Sequence, residues 1–387
     1  MIVTGLEVKN WKNFKHIKLD LQDINFLIGP NASGKSNFID IFRFLHDIVK
    51  EGGGLQKSIR DRGGISKIRC LSARKYPDVE ITISMAEKAG SPESWVYSVG
   101  IMQEQRGLHR PYLRYEKILH NNKVELTRPN LRDKKDKDQL LRTYLEQPTV
   151  NQSFRAINQY FESYKYFHII PQLIQHPQAF TGPGMPEDPY GQHFLEYLAK
   201  TNSRIRKTRL DKIQSALKIA VPRLKDLAFV QDEFGYPHLE AQYDHWRPNA
   251  GKQREDQFSD GTLRLIGLLW SLIESGDSLL LLEEPELSLN SGIIRNLVPI
   301  IFEIQQKKKN PGQVIISTHS WDLLSYSGIS GDEIFIISPS SEGSKIKIAS
   351  ADKKIQNLLD SGIQPSDVVF PEVTPKNLDA QLTLLEF

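Results

Sequence analysis

A glycine-rich segment near the N-terminus has the residue types and spacing of a phosphate-binding loop. It lies between an apolar run at residues 24–28 and an amphipathic pattern at residues 35–49, which predict a strand and a helix. Glycines let the backbone fold around phosphates, so that its N–H groups and the helix N-terminus point at negative charge. Within this motif Lys35 is predicted to contact the β- and γ-phosphates of ATP, and the hydroxyl of Ser36 to ligate Mg²⁺. The predicted nucleotide-binding residues are Gly29, Pro30, Asn31, Ala32, Ser33, Gly34, Lys35, Ser36 and Asn37.

Two adjacent carboxylates follow a second apolar run far downstream. Residues 279–282 are all leucine, and Glu283 and Glu284 come directly after them. A buried parallel strand delivers the residues that follow it to the carboxyl edge of the sheet, where open α/β folds bind their ligands. At that edge we expect Glu283 to hold Mg²⁺ through water, and Glu284 to orient or deprotonate an attacking water. Both are therefore candidate catalytic residues.

A third apolar run, at residues 314–317, precedes His319. A lone histidine after a strand is usually a polar surface residue. Beside the strand that ends in Glu283, however, His319 is expected to lie next to the γ-phosphate, where its imidazole can form a hydrogen bond and sense phosphate loss. Between these runs, Ser259 or Asp260 suits the N-cap of a helix predicted at residues 263–274, which explains that segment without any ligand.

In this order, the motifs resemble those of an ABC-type ATPase, and most closely the RecF/SMC-like group of small AAA-family ATPases without a coiled coil. Residues 6–14 (Leu-Glu-Val-Lys-Asn-Trp-Lys-Asn-Phe) are similar to the opening strand and turn of that group, and Gly29-Pro-Asn is similar to the start of its loop. The resemblance covers about residues 1–85 and 190–350. It implies ATP hydrolysis with Mg²⁺, by a homodimer or higher homo-oligomer that closes through its ATP sites.

The resemblance also implies a role for each matching residue. It makes Glu284 the catalytic glutamate, Glu283 the metal-side acid and His319 the switch histidine, with residues 285–290 in a loop that faces the partner. It also makes one further segment the signature motif, which in that family contacts the γ-phosphate of ATP held by the partner subunit. This segment contains Ser259, Asp260, Gly261 and Thr262.

Two residues depart from the family pattern. The metal-side acid is usually aspartate, and Glu283 adds a methylene that moves its carboxylate by roughly 1.5 Å. Asp260 replaces the second signature glycine and brings a negative charge near a phosphate, so it is expected to point away or to accept bonds from its own helix. Slow hydrolysis is expected to follow. The glutamine usual between the two lobes has only one nearby candidate, Gln56.

The strand and helix pattern predicts an α/β fold, and the resemblance implies that it is a P-loop NTPase with an ABC-type head. We expect a mixed sheet flanked by helices, an N-terminal antiparallel β layer and a helical insert. The predicted divisions are an N-terminal ATPase lobe at 1–125, a helical and loop insert at 126–225, a C-terminal ATPase lobe at 226–350 and a tail at 351–387. Within the insert, the charged residues 128–142 predict a solvated loop or exposed helix end, and the Pro- and Gly-rich residues 177–190 predict irregular structure.

Composition favours a soluble, cytoplasmic protein without a membrane partner. Of 387 residues, 39% are hydrophobic and 25% charged, as in globular proteins, and the net charge of +3 is too small to indicate nucleic-acid binding by itself. The longest apolar stretch, residues 265–282, contains Glu274 and Asp277, so it does not predict a membrane span. The single cysteine, Cys70, and an N-terminus that leads straight into a strand pattern suit a reducing compartment.

Three functions remain open at this stage. The first is an ATP-driven switch or sensor in DNA maintenance or anti-phage defence, with a separately encoded effector; the second is a slowly hydrolysing, ATP-bound scaffold. The third, an OLD-like nuclease, is disfavoured because no Asp-x-Asp pair follows His319.

Whether the protein binds DNA is also left open by the sequence, because residues 203–225 are strongly basic and could follow a phosphate backbone. Alternatively, these residues form a solvated face whose apolar side, Ile205, Leu210, Ile213 and Leu217, packs on the sheet. The basic residues are Arg204, Arg206, Lys207, Arg209, Lys212, Lys218, Arg223 and Lys225.

Overall fold

The computed structural model describes residues 1–73, 77–88, 90–105, 107–179, 188–247 and 251–373. The chain divides into two compact units. The first comprises Met1–Tyr164, Gly312–His319 and Ser327–Phe387, and the second comprises Lys165–Pro311 and Ser320–Tyr326. Part of the irregular segment predicted at 177–190, residues 180–187, lies outside the described residues. Among the helices that are described, none combines the length and apolarity needed to cross a membrane.

Strands and helices alternate through both units. The strands are β1 (Ile2–Trp11), β2 (Phe14–Asp20), β3 (Ile24–Ile28), β4 (Val79–Ala86), β5 (Glu93–Gln103), β6 (Pro111–His120), β7 (Lys123–Arg128), β8 (Lys165–Phe167), β9 (Leu224–Gln231), β10 (Pro237–Tyr243), β11 (Lys252–Arg254), β12 (Leu280–Glu283), β13 (Val314–Thr318), β14 (Ile334–Ser340) and β15 (Gly343–Ile348). The helices are α1 (Lys35–Val49), α2 (Leu55–Asp61), α3 (Ile65–Ile68), α4 (Leu131–Lys135), α5 (Arg155–Glu162), α6 (Pro171–Gln175), α7 (Phe194–Lys200), α8 (Ser203–Ala220), α9 (Asp260–Glu274), α10 (Ser291–Lys307), α11 (Lys353–Asp360) and α12 (Pro365–Val373).

The first unit contains two sheets. One is antiparallel, in the order β2-β1-β4-β5-β6-β7, and β1 and β4 alternate between more buried and less buried residues along much of their length. In the other, β3 is parallel to both β13 and β14, while β15 is antiparallel to β14. Every residue of β3 and β13 is buried, as expected for parallel strands covered on both faces. Helix α1 packs here, with Phe38 edge-on to Phe335 of β14 at 6.2 Å.

The second unit contains a small antiparallel sheet, β11-β10-β9, and the parallel pair β8 and β12. Helix α9 is the centre of this unit, because α6, α8 and α10 all contact it. Ten of its residues, including Leu265 to Leu269 without a break, are buried. Such all-round burial fixes α9 in place, and its N-terminus is where the predicted signature residues lie.

The charged stretch at 128–142 is not simply a solvated loop. Arg128 is completely buried between two carboxylates, with Nη1 3.0 Å from Glu116 Oε2 and Nη2 2.7 Å from Asp133 Oδ1. Its guanidinium also donates to the carbonyl oxygens of Gln139 and Arg142. The prediction was therefore wrong for Arg128 and Asp133, whereas residues 134–139 are exposed as expected. A buried ion pair with every donor satisfied holds this segment against β6.

Candidate functional site

The phosphate loop follows β3 and leads into α1. Gly34 has φ +111°, a left-handed conformation that favours glycine, and a Cβ at this position would lie 2.0 Å from Asn13 Nδ2. Gly29 is equally constrained, because a Cβ there would lie 2.5 Å from the carbonyl oxygen of Ile337. Glycine is thus favoured at position 34 by the left-handed turn and the nearby Asn13 side chain, and at position 29 by a close backbone contact.

Asn13 supports the loop from the turn between β1 and β2. Its Nδ2 donates to the carbonyl oxygen of Ser33 at 2.8 Å, and its Oδ1 accepts from Asn37 Nδ2 at 2.8 Å. Asn37, predicted to bind nucleotide, therefore has its side-chain amide on Asn13. The sequence singled out residues 6–14 only as a family resemblance, and the structure shows that Asn13 has a direct structural role in the loop.

Lys35 and His319 meet within the first unit. The buried ammonium of Lys35 donates to the carbonyl oxygens of Gly29 at 2.9 Å and Pro30 at 3.1 Å, and Nζ lies 3.4 Å from Nδ1 of His319. The strand register explains the meeting, since parallel pairing sets Thr318 opposite Ile28. The next residues, His319 and Gly29, therefore emerge side by side at the carboxyl ends of their strands.

The loop has the chemistry to accept phosphate oxygens. Ser33 Oγ and Ser317 Oγ are buried and have no hydrogen-bond partner within the described part of the chain, and buried polar atoms normally have one. Ser36 lies at the start of α1 and is exposed. Its hydroxyl oxygen is a ligand type that Mg²⁺ accepts, and in the second unit the carboxylate of Glu283 is likewise a hard oxygen ligand.

The carboxylates lie in the second unit, at the end of β12. Glu283 Oε2 accepts a hydrogen bond of 2.7 Å from the Tyr166 hydroxyl, and the Glu283 carbonyl oxygen lies 3.2 Å from His168 Nδ1. Parallel pairing of β8 with β12 sets Phe167 opposite Leu282, so Tyr166 and His168 flank Glu283 on the neighbouring strand. Tyr166 and His168 were missed by sequence reasoning, because β8 has only three residues and no distinct pattern.

Glu284 has an unusual backbone conformation. Its φ is +45°, a left-handed value that is uncommon outside glycine, asparagine and aspartate. Such outliers concentrate at functional sites, where surrounding structure holds them. This conformation supports a functional assignment for Glu284 that is independent of its place in a motif.

The predicted signature residues cap α9. Ser259 is exposed and is the N-cap of the helix, with its Oγ accepting a hydrogen bond of 3.2 Å from the backbone N–H of Thr262. The sequence had offered Ser259 or Asp260 for this position. Gly261 is close to a neighbouring loop, since a Cβ there would lie 2.7 Å from the carbonyl oxygen of Ser288. The 15-residue helix therefore presents the positive end of its dipole to solvent at Ser259.

The Asp260 carboxylate accepts hydrogen bonds from α6. Gln172 Nε2 donates to it at 2.6 Å, and Gln175 Nε2 lies 3.4 Å from its other oxygen. Bonds from its own helix were one of the two expected alternatives, and in the structure the carboxylate accepts from the amides of α6 instead.

Gln56, the candidate for the glutamine between the lobes, has a structural role. Its side-chain amide donates to the carbonyl oxygens of Pro111 and Leu141, both at 2.8 Å. These bonds tie α2 to β6 and to the segment before residue 142, and they leave Gln56 with no apparent part in the loop formed by residues 29–37.

Several known proteins are similar to this chain. The family model described as "AAA domain, putative AbiEii toxin, Type IV TA system" matches residues 24–325. The DNA replication and repair protein RecF of Streptococcus agalactiae serotype V is 22% identical over 250 residues, which cover 53% of this chain and 67% of RecF. RecF of Lactobacillus gasseri is 29% identical over 98 residues, which cover 25% of this chain and 26% of that protein.

Solved structures share the fold. A crystal structure of the Smc head bound to the C-winged helix domain of ScpA matches with a TM-score of 0.54 and 13% identity, over 90% of this chain and 97% of that one. The Smc head of Pyrococcus furiosus, bound to the C-terminal domain of ScpA, matches with a TM-score of 0.51 and 13% identity, over 93% and 99%. Together these matches confirm the resemblance to the RecF/SMC-like group and the predicted fold class.

Proposed function

Because the chain belongs to this AAA-domain family, we propose that it is an ATP-hydrolysing switch in which two copies close around bound ATP. The loop at residues 29–37 of one copy holds the triphosphate, and Ser259 at the N-terminus of α9 in the other copy contacts the γ-phosphate. The observation that carries this proposal is the exposed, capped N-terminus of α9, whose N–H groups and dipole favour an anionic ligand.

Three side chains are assigned roles in hydrolysis. Glu284 accepts a proton from water as the water oxygen forms a bond to the γ-phosphorus and the bond to the ADP oxygen breaks. Lys35 stabilises the charge on the phosphate oxygens, and His319, 3.4 Å from Lys35, detects whether the γ-phosphate is present. Ser36 and Glu283 would ligate Mg²⁺, which would supply neutralisation of phosphate charge.

A timed phosphate-release assay tests whether the chain hydrolyses ATP. Wild-type protein is expected to release phosphate faster than Glu284→Gln, because that variant lacks the proton acceptor. Equal background rates for the two proteins would favour the second candidate, an ATP-bound scaffold, which the departures at Glu283 and Asp260 support.

The switch is proposed to act on DNA or on a separately encoded effector, in DNA maintenance or anti-phage defence. Support for DNA comes from the match to RecF proteins, which are described as DNA replication and repair proteins. To act as a two-state switch, the pair needs ATP to change the free-energy difference between its open and closed states by only a few kcal/mol. Several phosphate contacts per site, at about 1.5–3 kcal/mol each, supply that amount.

Replacing Tyr166 with phenylalanine is expected to raise the Mg²⁺ concentration for half-maximal hydrolysis by about tenfold, since a hydrogen bond to a charged group contributes about 1.5–3 kcal/mol. The reason is that Tyr166 orients the Glu283 carboxylate through its 2.7 Å hydrogen bond. A Mg²⁺ titration of ATPase rate measures the shift. Tyr236→Phe, at an exposed tyrosine of the same unit, is the matched control. An unchanged metal requirement in Tyr166→Phe would remove Tyr166 from this role.

The structure narrows which basic residues of α8 could contact DNA. Arg206 donates to the carbonyl oxygens that end α7 and stacks on Phe229 at 3.8 Å, and Arg209 pairs with Glu274. Both are therefore structural. Arg204, Lys207, Lys212 and Lys218 are exposed, while Leu210, Ile213 and Leu217 are buried as expected and Ile205 is half exposed.

Reversing two exposed charges, Lys207→Glu with Lys218→Glu, is expected to weaken DNA binding and to reduce the slope of log affinity against log salt by about two. The physical reason is the loss of two phosphate contacts and their released counterions. Fluorescence anisotropy at several salt concentrations measures the slope. The matched control reverses Lys309 and Lys353, which are exposed elsewhere. Equal slopes for wild type and the α8 variant would end the DNA interpretation of this helix.

A further inference from the structure

A cavity of about 610 Å³ lies in the first unit, at the end of α1 opposite the phosphate loop. Its walls are the last turn of α1, the glycine turn at residues 52–54, α2 and the segment 142–149. Helix α1 has 15 residues and so separates the loop from the cavity by roughly 20 Å. No residue of the loop at 29–37 lines the cavity, so the cavity is distinct from the proposed ATP site.

The cavity walls are held by partly buried hydrogen bonds. Glu146 Oε2 accepts from the backbone N–H of Leu55 at 3.0 Å and from Thr143 Oγ1 at 2.9 Å, which ties the start of α2 to the segment 142–149. Gln56 ties α2 to Leu141 from the other side. These bonds pre-form the cavity, as is usual for sites that bind small molecules.

Four cationic side chains line this cavity: Lys50, Lys57, Arg60 and Arg142. Lys50 is paired with Asp47. In the part of the chain that the structure describes, the other three make no ion pair, and Lys57 donates to the carbonyl oxygen of Gly52 at 2.9 Å. The one carboxylate of the lining, Glu146, is half-buried and already accepts the hydrogen bonds described above.

We propose that this cavity binds a small phosphorylated molecule through Arg60 and Arg142, with Lys57 as a third cation. Guanidinium groups bind phosphate oxygens in a bidentate geometry, and two arginines in one concave site supply both charge and direction. The volume lies within the range of small-molecule sites, about 300–1,000 Å³. A concave site of this size favours a free nucleotide or pyrophosphate-bearing molecule over a phosphate of a DNA strand.

The test uses full-length protein with Lys35→Ala, so that the phosphate loop does not contribute. Inorganic pyrophosphate, ADP and a short single-stranded oligonucleotide are each titrated by calorimetry. We expect one pyrophosphate or ADP per chain, and a loss of affinity of about tenfold or more with Arg60→Gln and Arg142→Gln together, because charge-assisted hydrogen bonds are removed. The control pair Lys123→Gln and Arg132→Gln, also exposed in this unit, is expected to bind as the parent does.

Two results would overturn the proposal. One is that the cavity variant and the control variant bind pyrophosphate and ADP with the same affinities as each other. The other is that the cavity variant loses affinity for the oligonucleotide alone, which would assign these arginines to DNA. With Lys35 intact, the cavity variant is expected to keep wild-type ATP hydrolysis and thermal stability, which separates this site from the proposed ATP site.

Discussion

Glu284→Gln is expected to lower ATP turnover by about 100-fold or more, the usual contribution of a general base. Glutamine keeps the shape of the side chain but cannot accept the proton of the attacking water. Binding of ATP does not need that proton transfer, so affinity for ATP is expected to remain. The closed, ATP-bound pair of chains should therefore accumulate, because the step that reopens it is blocked.

Light scattering on a size-exclusion column, with and without ATP, measures the accumulation, and phosphate release measures the turnover. Glu303→Gln is the matched control, since Glu303 is exposed on α10 and pairs with Lys307 one turn away. A Glu284→Gln protein that remains monomeric in saturating ATP would contradict the proposed switch even if its turnover fell.

Lys35→Ala is expected to weaken ATP binding by about 100-fold, because charge-assisted hydrogen bonds of about 1.5–3 kcal/mol each are lost. The buried ammonium is held toward the loop by the carbonyl oxygens of Gly29 and Pro30. Alanine leaves the backbone N–H groups of the loop but removes its cation. Hydrolysis and ATP-dependent pairing should be lost together with binding.

Titration of a fluorescent ATP analogue measures the affinity. Lys15→Ala is the control, since Lys15 is exposed and pairs with Glu342 on the surface. Unchanged affinity in Lys35→Ala would show that the triphosphate is held elsewhere, and the assignment of residues 29–37 would then be wrong.

Elements with a strong local pattern could be predicted from the sequence. Helix α1 begins at Lys35 and ends at Val49, as predicted, because its apolar residues recur at helical spacing and glycines follow it. Strands β3 and β13 were also predicted, since both are mainly apolar runs of parallel-sheet type.

Short or tertiary-dependent elements could not be predicted. Strand β8 has three half-buried residues and exists because it pairs with β12. Helices α11 and α12, beyond Ala349, have few apolar residues at regular spacing, although Asp352 caps the first of them. The burial of Arg128 depends on its ion pair with Glu116, which lies on another strand. The high density of charged residues around Arg128 in the sequence therefore predicted that it would be exposed.

The candidate site shows the same division. Motif residues such as Lys35, Glu284 and Ser259 are recognisable because their chemistry requires a fixed local spacing. Asn13 and Tyr166 act through partners that lie 20 and 117 positions away in the chain, Ser33 and Glu283. Contacts at such separations are set by strand order and register, which one sequence does not state.

The central claim is that each ATP is held by the loop of one copy and by Ser259 of another. It is tested most directly by mixing two inactive proteins, Lys35→Ala and Ser259→Arg, and measuring phosphate release. Neither variant paired with itself has an intact site, whereas one of the two sites in a mixed, two-fold symmetric pair is intact, so phosphate release is expected to rise well above that of either variant alone. Activity no greater than that of the two variants alone would contradict a site shared between copies.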